Sequence, residues 1–411
     1  MESIKEIYKI GYGPSSSHTM GPGRAAKMFV QKYPNAEKYR AKLYGSLALT
    51  GKGHGTDKAI RNMMGITDDS LEIIFKNNET LAYHPNGMIF ETLKGSVVEN
   101  SWEVYSIGGG SLYDKQGTFD ISSVYDLTFM SDILDWCDDE GSTLFNYVEK
   151  CEGNGIYDYL AKVWNQMQKT IEKGLITEGV LPGTLKLARK ACRYNIRSQQ
   201  SIDSLHSTGM LFAAALATSE ENAGGGIVTT APTCGASGVV PAVLYYMKHD
   251  QHVDEKRILR GLATAGLIGT IVKENGSISG AEVGCQGELG TACAMGAAAM
   301  TQIWGGTPRQ IEYAAEMGFE HNLGLTCDPI GGYVQIPCIE RNTFVAQKAR
   351  EIAQYALFSD GTHWVSFDDV VETMTETGRD MQLKYRETSL GGLAQLKIKR
   401  FHEKTGKKLN F

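Results

Sequence analysis

The chain has 411 residues, 42% hydrophobic and 21% charged, with Lys+Arg 41 against Asp+Glu 47 and a net charge of −6. That length allows a large core and two domains. The acidic balance, broken only by the short basic tail Lys404–Lys408, argues against nucleic acid as a partner. The N-terminus alternates charged and apolar side chains without the apolar run of a signal peptide, so the protein reads as cytoplasmic. Two uncharged stretches, 223–247 and 289–308, consist largely of Gly, Ala, Thr and Met with interspersed Pro. Such small residues suit close packing inside a protein, so no membrane span is expected.

Taken in chain order, the first ~110 residues alternate short strand-like runs with helical patterns, the mark of an α/β unit. A helix is predicted over 25–33, a strand over 42–49, a helix over 57–64, and strands over 71–75, 87–93 and 102–107, the last stopped by Gly108–Gly110. From Val124 onward the pattern changes to long amphipathic or Ala-rich helices, the first two over 132–137 and 143–151. The polar segment 116–123 reads as the linker. The predicted fold is therefore a two-domain α+β protein: a small N-terminal α/β domain (1–123) and a larger, mainly α-helical domain (124–411).

Four segments carry side chains suited to chemistry. The hydroxyl-rich loop Gly13–Pro22 supplies Ser15, Ser16, Ser17 and Thr19 beside His18. Together with the free amides of the following helix, these hydroxyls could hold a small carboxylate, or they are an ordinary Ser-rich cap. The loop Thr50–Asp57 follows a strand and sets His54 between glycines, where a neutral imidazole can act as a general base. Its glycines lack the spacing of a phosphate loop. The stretch from Ala223 to Met247 is polar without charge, and Thr230 and Thr233 in it are candidates for binding a zwitterion or carboxylate, or the stretch is a tight turn inside the core.

The fourth group is the cysteines. Eight in a chain of this character argue for reduced thiols, not a disulfide framework. Cys137, Cys151, Cys192 and Cys293 read as packing residues, and Cys234 is open to either reading. Cys285, Cys327 and Cys338 each sit in a Gly- or Pro-punctuated segment with no Cys-x-x-Cys pairing. Cys285 lies just before a helix beginning near Leu289, and Pro329 and Pro337 are expected to keep Cys327 and Cys338 out of helix. Three thiols without a fourth do not complete a structural zinc site, whereas an iron–sulfur cluster held by three cysteines keeps one iron open. Three unconnected buried cysteines are the alternative.

Set side by side, Gly-Pro-Ser-Ser-Ser-His-Thr (13–19), Tyr-Gly-Ser-Leu-Ala-Leu-Thr-Gly-Lys-Gly-His-Gly-Thr-Asp (44–57), Ala-Pro-Thr-Cys-Gly-Ala-Ser-Gly-Val-Val-Pro (231–241), Ser-Ile-Ser-Gly-Ala-Glu-Val-Gly-Cys-Gln (277–286) and Leu-Thr-Cys-Asp-Pro (325–329) resemble the iron–sulfur L-serine dehydratases, in their single-chain form, over nearly the whole length. The resemblance implies a 4Fe-4S cluster on Cys285, Cys327 and Cys338 with one iron open, and no role for pyridoxal phosphate. It implies that His18 and His54 reach a site between the domains, with His54 as the α-proton base. The expected reaction is conversion of L-serine to pyruvate and ammonia, and the expected assembly is a homodimer. This chain carries no cysteine after Cys338, unlike members of the family that end in a cysteine-bearing tail. A cluster-dependent L-cysteine desulfidase and a non-catalytic amino-acid sensor are the competing readings. Separation of the three sulfurs would favour the sensor.

Overall fold

The computed structural model describes residues 1–119 and 122–405. In the N-terminal half, strand β2 (Lys38–Tyr44) alternates as a half-buried strand should: Tyr39, Ala41 and Leu43 are buried. On its other face Arg40 Nε and Lys42 Nζ reach Glu72 and Glu91 on the flanking strands, both at 2.7 Å. Those neighbours are β3 (Leu71–Lys76), which is parallel to β2, and β4 (Gly87–Lys94), which is antiparallel to it. β5 (Val97–Ser106) and β6 (Leu112–Tyr113) continue the sheet in the order β3-β2-β4-β5-β6. A parallel pair needs a crossover, supplied by helices α2 (Gly45–His54) and α3 (Thr56–Met64). Helix α1 (Gly21–Lys32) packs beside α3, with Phe29 stacked on the Phe90 and Trp102 face of the sheet.

Two local expectations are overturned. The strand predicted over 42–49 ends at Tyr44, because Gly45 turns the chain at φ 53° and Leu47–Leu49 continue as helix. The segment Thr50–Asp57 is not a loop: apart from Gly55 at φ 67°, it is the end of α2 and the start of α3. Gly53 is required by proximity, since a Cβ there would lie 2.6 Å from Gly331 O of the other half. Of the predicted linker, Asp120 and Ile121 lie outside the described residues, as do Lys407 and Lys408 of the basic tail.

The second half is helical, built around Thr291–Ile303, whose sequence TACAMGAAAMTQI is buried on nearly every side. A helix apolar all round must be central. Its small side chains admit close neighbours on several flanks: a Cβ on Gly318 would come 2.9 Å from the Ala294 backbone, and one on Gly296 would touch Ala349. Helices Glu255–Asn275, Pro308–Glu320, Val239–His249 and Cys338–Phe358 surround it. Among the described residues no helix is long and apolar enough to cross a membrane.

The expected boundary at 123 assigns the first dozen residues to the sheet domain, but they pack on the helical body. Met1, Ile4, Ile7 and Tyr8 belong to its core, and burying a side chain such as Ile4 or Ile7 is worth about 1.5–3 kcal/mol. Tyr8 donates its hydroxyl to Leu262 O at 2.8 Å. Strand β1 (Ile10–Tyr12) then pairs antiparallel with β7 (Ile227–Thr229) of the helical half. Thr230 locks the joint, accepting from Lys9 N at 2.8 Å and donating to Ile7 O at 2.6 Å. Thr230→Val removes both bonds and leaves the buried Ile7 carbonyl unpaired. The expected cost is about 1–3 kcal/mol, read as a lower urea midpoint with an unchanged m value.

Candidate active site

Three cysteines far apart in sequence meet in one pocket. Cys285 immediately precedes the single π-helical turn Gln286–Gly290 that feeds the central helix. Cys327 is clamped through its backbone: its N–H donates to Tyr385 O at 2.7 Å, and its carbonyl accepts from Glu387 N at 2.8 Å. Cys338 was expected outside a helix, but Pro337 stands before it and Cys338 is the first residue of Cys338–Phe358, a position that proline tolerates well. All three are free thiols. The other predicted packing cysteines lie elsewhere, and Cys234, buried with its Sγ 3.9 Å from Met20 Sδ, is not among the pocket-lining residues.

The donor set suits a soft metal centre. Cys285 Sγ, Cys327 Sγ and a Glu288 carboxylate oxygen lie within 4.8 Å of one another. The neighbouring Cys285 thiol, then burial, push Cys327 well above the ordinary thiol range; burial, then Cys285, do the same to Cys338. Such a group of sulfurs, two buried and one half-buried, carries its full charge only against a cation. Burial opposes the charge on Arg341, one helical turn beyond Cys338, but Cys285, Cys338 and Cys327 raise its pKa overall. Its fork is already engaged, donating to Thr326 O at 2.7 Å and standing 3.8 Å from Asp328.

The opposite wall comes from the N-terminal half. Ser16–Met20, expected as part of a loop, form one π-helical turn capped by Ser15, whose Oγ accepts from His18 N at 3.0 Å. Of the four predicted hydroxyls, Ser15 lines the pocket. Ser17 pairs with His18 Nδ1 at 2.8 Å, Thr19 donates to His54 O at 2.9 Å, and Ser16 accepts from Cys234 N at 3.4 Å. Thr233 donates to Glu288 Oε1 at 2.8 Å. Thr230 is taken up by the β1–β7 joint described above and is not among the pocket-lining residues.

The hydrogen bonds assign the tautomers of the two histidines. Ser46 gives its proton to Glu387 O at 2.7 Å, so at 3.0 Å from His18 Nε2 it can only accept. His18 is therefore protonated on Nε2, and its Nδ1 accepts from Ser17. His54 Nδ1 donates to Thr50 O at 3.0 Å, which leaves Nε2 as a lone pair directed to the pocket. The rings stack at 4.5 Å. Burial depresses both: His54 falls to about 4, while His18, with His54 as a second cause, falls well below 6.5. His206, by contrast, bonds Ser198 O and Asp250 away from this pocket.

Sequence reasoning missed two carboxylates. Glu387 places Oε1 3.5 Å from both His18 Nδ1 and His54 Nε2. Burial, then Glu288 and Cys285, raise its pKa well above 4.5. It holds a left-handed backbone at φ 53°, an unfavourable state for a non-glycine residue that often accompanies a site. Glu288, raised first by burial, stands with Oε2 3.9 Å from Cys285 Sγ. The available signals were the Gly-Cys-Gln-Gly-Glu context of Glu288 and the aperiodic, glycine-ended run 386–392.

The chain matches two family models, Serine dehydratase alpha chain over residues 56–394 and Serine dehydratase beta chain over residues 3–72. It is 41% identical to the L-serine dehydratase of Streptomyces coelicolor, an alignment covering 95% of this chain and 98% of that protein. It is 42% identical to L-serine dehydratase 1 of Escherichia coli K12, covering 96% and 99%. With the L-serine dehydratase of Helicobacter pylori the identity is 36%, covering 96% and 98%. A family match over most of the chain and these full-length likenesses agree with the two-walled pocket of cysteines and histidines: the chain belongs to the serine dehydratase family, with the alpha-chain and beta-chain parts on one polypeptide.

Proposed function

We propose that this protein is an L-serine ammonia-lyase that converts L-serine to pyruvate and ammonia, with a 4Fe-4S cluster held by Cys285, Cys327 and Cys338. The observation that carries the reading is the meeting, in one pocket, of the buried Cys285 and Cys327 and the half-buried Cys338 from the helical half with the unprotonated His54 Nε2 from the other. A cluster bound by three thiolates supplies an open iron that acts as a Lewis acid toward the substrate hydroxyl.

The protein's own groups do the rest. His54 Nε2 removes the α-proton; its Nδ1–H, held by Thr50 O, keeps the ring turned so that the lone pair faces the substrate. Thr19 tethers the His54 carbonyl, and stacked His18 fixes the ring plane from behind. Ser15 offers a hydroxyl to the substrate carboxylate. The β-hydroxide departs and takes up the proton that His54 removed, leaving as water and giving aminoacrylate, which tautomerises to the imine and takes up water to give pyruvate and ammonia. The gathering of the sulfurs speaks against a non-catalytic sensor.

Prepared anaerobically, the protein should contain close to four irons per chain, absorb as a brown cluster and make pyruvate from L-serine faster than from L-cysteine. A colourless protein activated by pyridoxal phosphate would sink the reading, and faster turnover of L-cysteine would transfer it to a desulfidase. Cys285→Ala, Cys327→Ala and Cys338→Ala should each lose most of the iron and essentially all turnover. His54→Ala should lower kcat by at least about 10²-fold with the cluster spectrum intact; near-normal turnover would move the base to His18. Because the folded pKa of His54 lies below that of the unfolded chain, the unfolded state binds the extra proton between about pH 6.5 and 4. The associated stability is present above that window and lost as pH falls through it. His54→Gln should therefore show a shallower fall in unfolding midpoint between pH 6.5 and 4 than the wild type.

A further inference from the structure

The pocket has a charge pattern that the reaction as described does not use. Its lining includes two carboxylates, Glu288 and Glu387, and no lysine or arginine among the described residues. Arg341, the nearby cation, is committed to Thr326 O and Asp328. A wall of this kind offers a substrate carboxylate no charge partner, and it offers a cationic centre two carboxyl groups that burial otherwise pushes toward their neutral form.

The two carboxyl groups converge. Glu288 spends Oε1 on the Thr233 hydroxyl at 2.8 Å and turns Oε2 inward, where the Cys285 sulfur at 3.9 Å is its neighbour. Glu387 turns Oε1 to the histidines. The remaining oxygens of the two groups come together at Gly280: a Cβ on that glycine would lie 2.8 Å from Glu288 Oε2 and 3.3 Å from Glu387 Oε2. An alkylammonium group carries three donors, enough to bond both oxygens at once, and a buried cation needs such partners.

Resting on the amino-acid lyase reading above, we propose that Glu288 and Glu387 together seat the α-ammonium group of the substrate, and that this pair makes the pocket select α-amino acids from carboxylates that lack the amine. The α-carbon is one bond from the ammonium nitrogen. Glu387 keeps its other oxygen, Oε1, 3.5 Å from His54 Nε2, so a nitrogen seated on this carboxyl brings the α-proton to the base. The seat thus fixes binding and attack geometry together, while Ser15 and the sulfur-lined side remain for the carboxylate and hydroxyl ends.

The test uses cluster-loaded enzyme and two probes that differ in the amine alone: L-alanine, and propanoate, in which hydrogen replaces the ammonium group. In the wild type, L-alanine should inhibit pyruvate formation at least about tenfold better than propanoate, as one charge-assisted contact would give. Glu387→Gln and Glu288→Gln should each raise the KM for L-serine and shrink that ratio to within about threefold, the fold-change equivalent of losing the contact. Equal inhibition by the two probes in the wild type overturns the proposal without any variant. A ratio unchanged in both variants also overturns it, even where kcat falls, because the carboxylates would then serve the chemistry and not the seat. Failure of the lyase reading registers separately, as wild-type enzyme that makes no pyruvate, and probe affinities would then be read from the thermal shift of the loaded protein.

Discussion

The site depends on the antiparallel joint between β1 and β7. The sulfurs belong to one half of the molecule and the histidines to the other, so their register must be held to a fraction of an ångström by something stiffer than surface contact. Backbone pairing of Ile10–Tyr12 with Ile227–Thr229, closed by the two bonds of Thr230, provides it. The same strand runs directly into the π-helical turn that bears His18, and its partner runs into the Thr233–Cys234–Gly235 corner beside Glu288. One edge of each wall, the Ser15–His18 turn and the Thr233–Gly235 corner, is thus an extension of one two-stranded ribbon. The close approach of Gly53 to Gly331 is a second clamp on the far side.

A third tie crosses the pocket floor. Glu387 gives its backbone carbonyl to Ser46 of the N-terminal half and its N–H to Cys327 of the helical half, while its carboxylate faces both histidines. Ser389 adds a bond to Pro329 O at 2.6 Å. Glu387 and Ser389 both carry positive φ, so this short segment stores backbone strain that its bonds to both halves hold in place. A residue serving as floor, strut and polar wall has little freedom to vary.

Much of this was legible in the chain. Short strand-like runs located β3, β4 and the second half of β5, each of which pairs in the sheet. The three cysteines stood out through their Gly and Pro surroundings, and His54 through its glycines. The errors have physical causes. Leu47–Leu49 continue the apolar run of β2, and short runs do not distinguish strand from helix; the turn at Gly45 decides it. The glycines at 51 and 53 suggest a loop by propensity, but in α2 they answer a tertiary demand, the nearness of the 331–332 backbone. Thr230, a candidate binding hydroxyl by sequence, makes its hydrogen bonds within the β1–β7 joint, since a threonine between small residues is equally suited to either place. Glu288 and Glu387 went unremarked because carboxylates are common and only the folded chain brings these two over one glycine. The first dozen residues were assigned by order along the chain, whereas Ile4, Ile7 and Tyr8 are claimed by the helical core.

That placement bears on how the polypeptide can be divided. The N-terminal tail is interleaved with the helical body through hydrophobic anchors, a ribbon and the hydrogen bonds of the terminal amine to Tyr125 O and Ser123. The covalent connection between the sheet and the helices is therefore redundant as a fastener: an interruption of the chain between Tyr113 and Val124 would leave two pieces still mortised together. An architecture of this kind holds the pocket's two sides together through packing and hydrogen bonds as much as through the covalent chain.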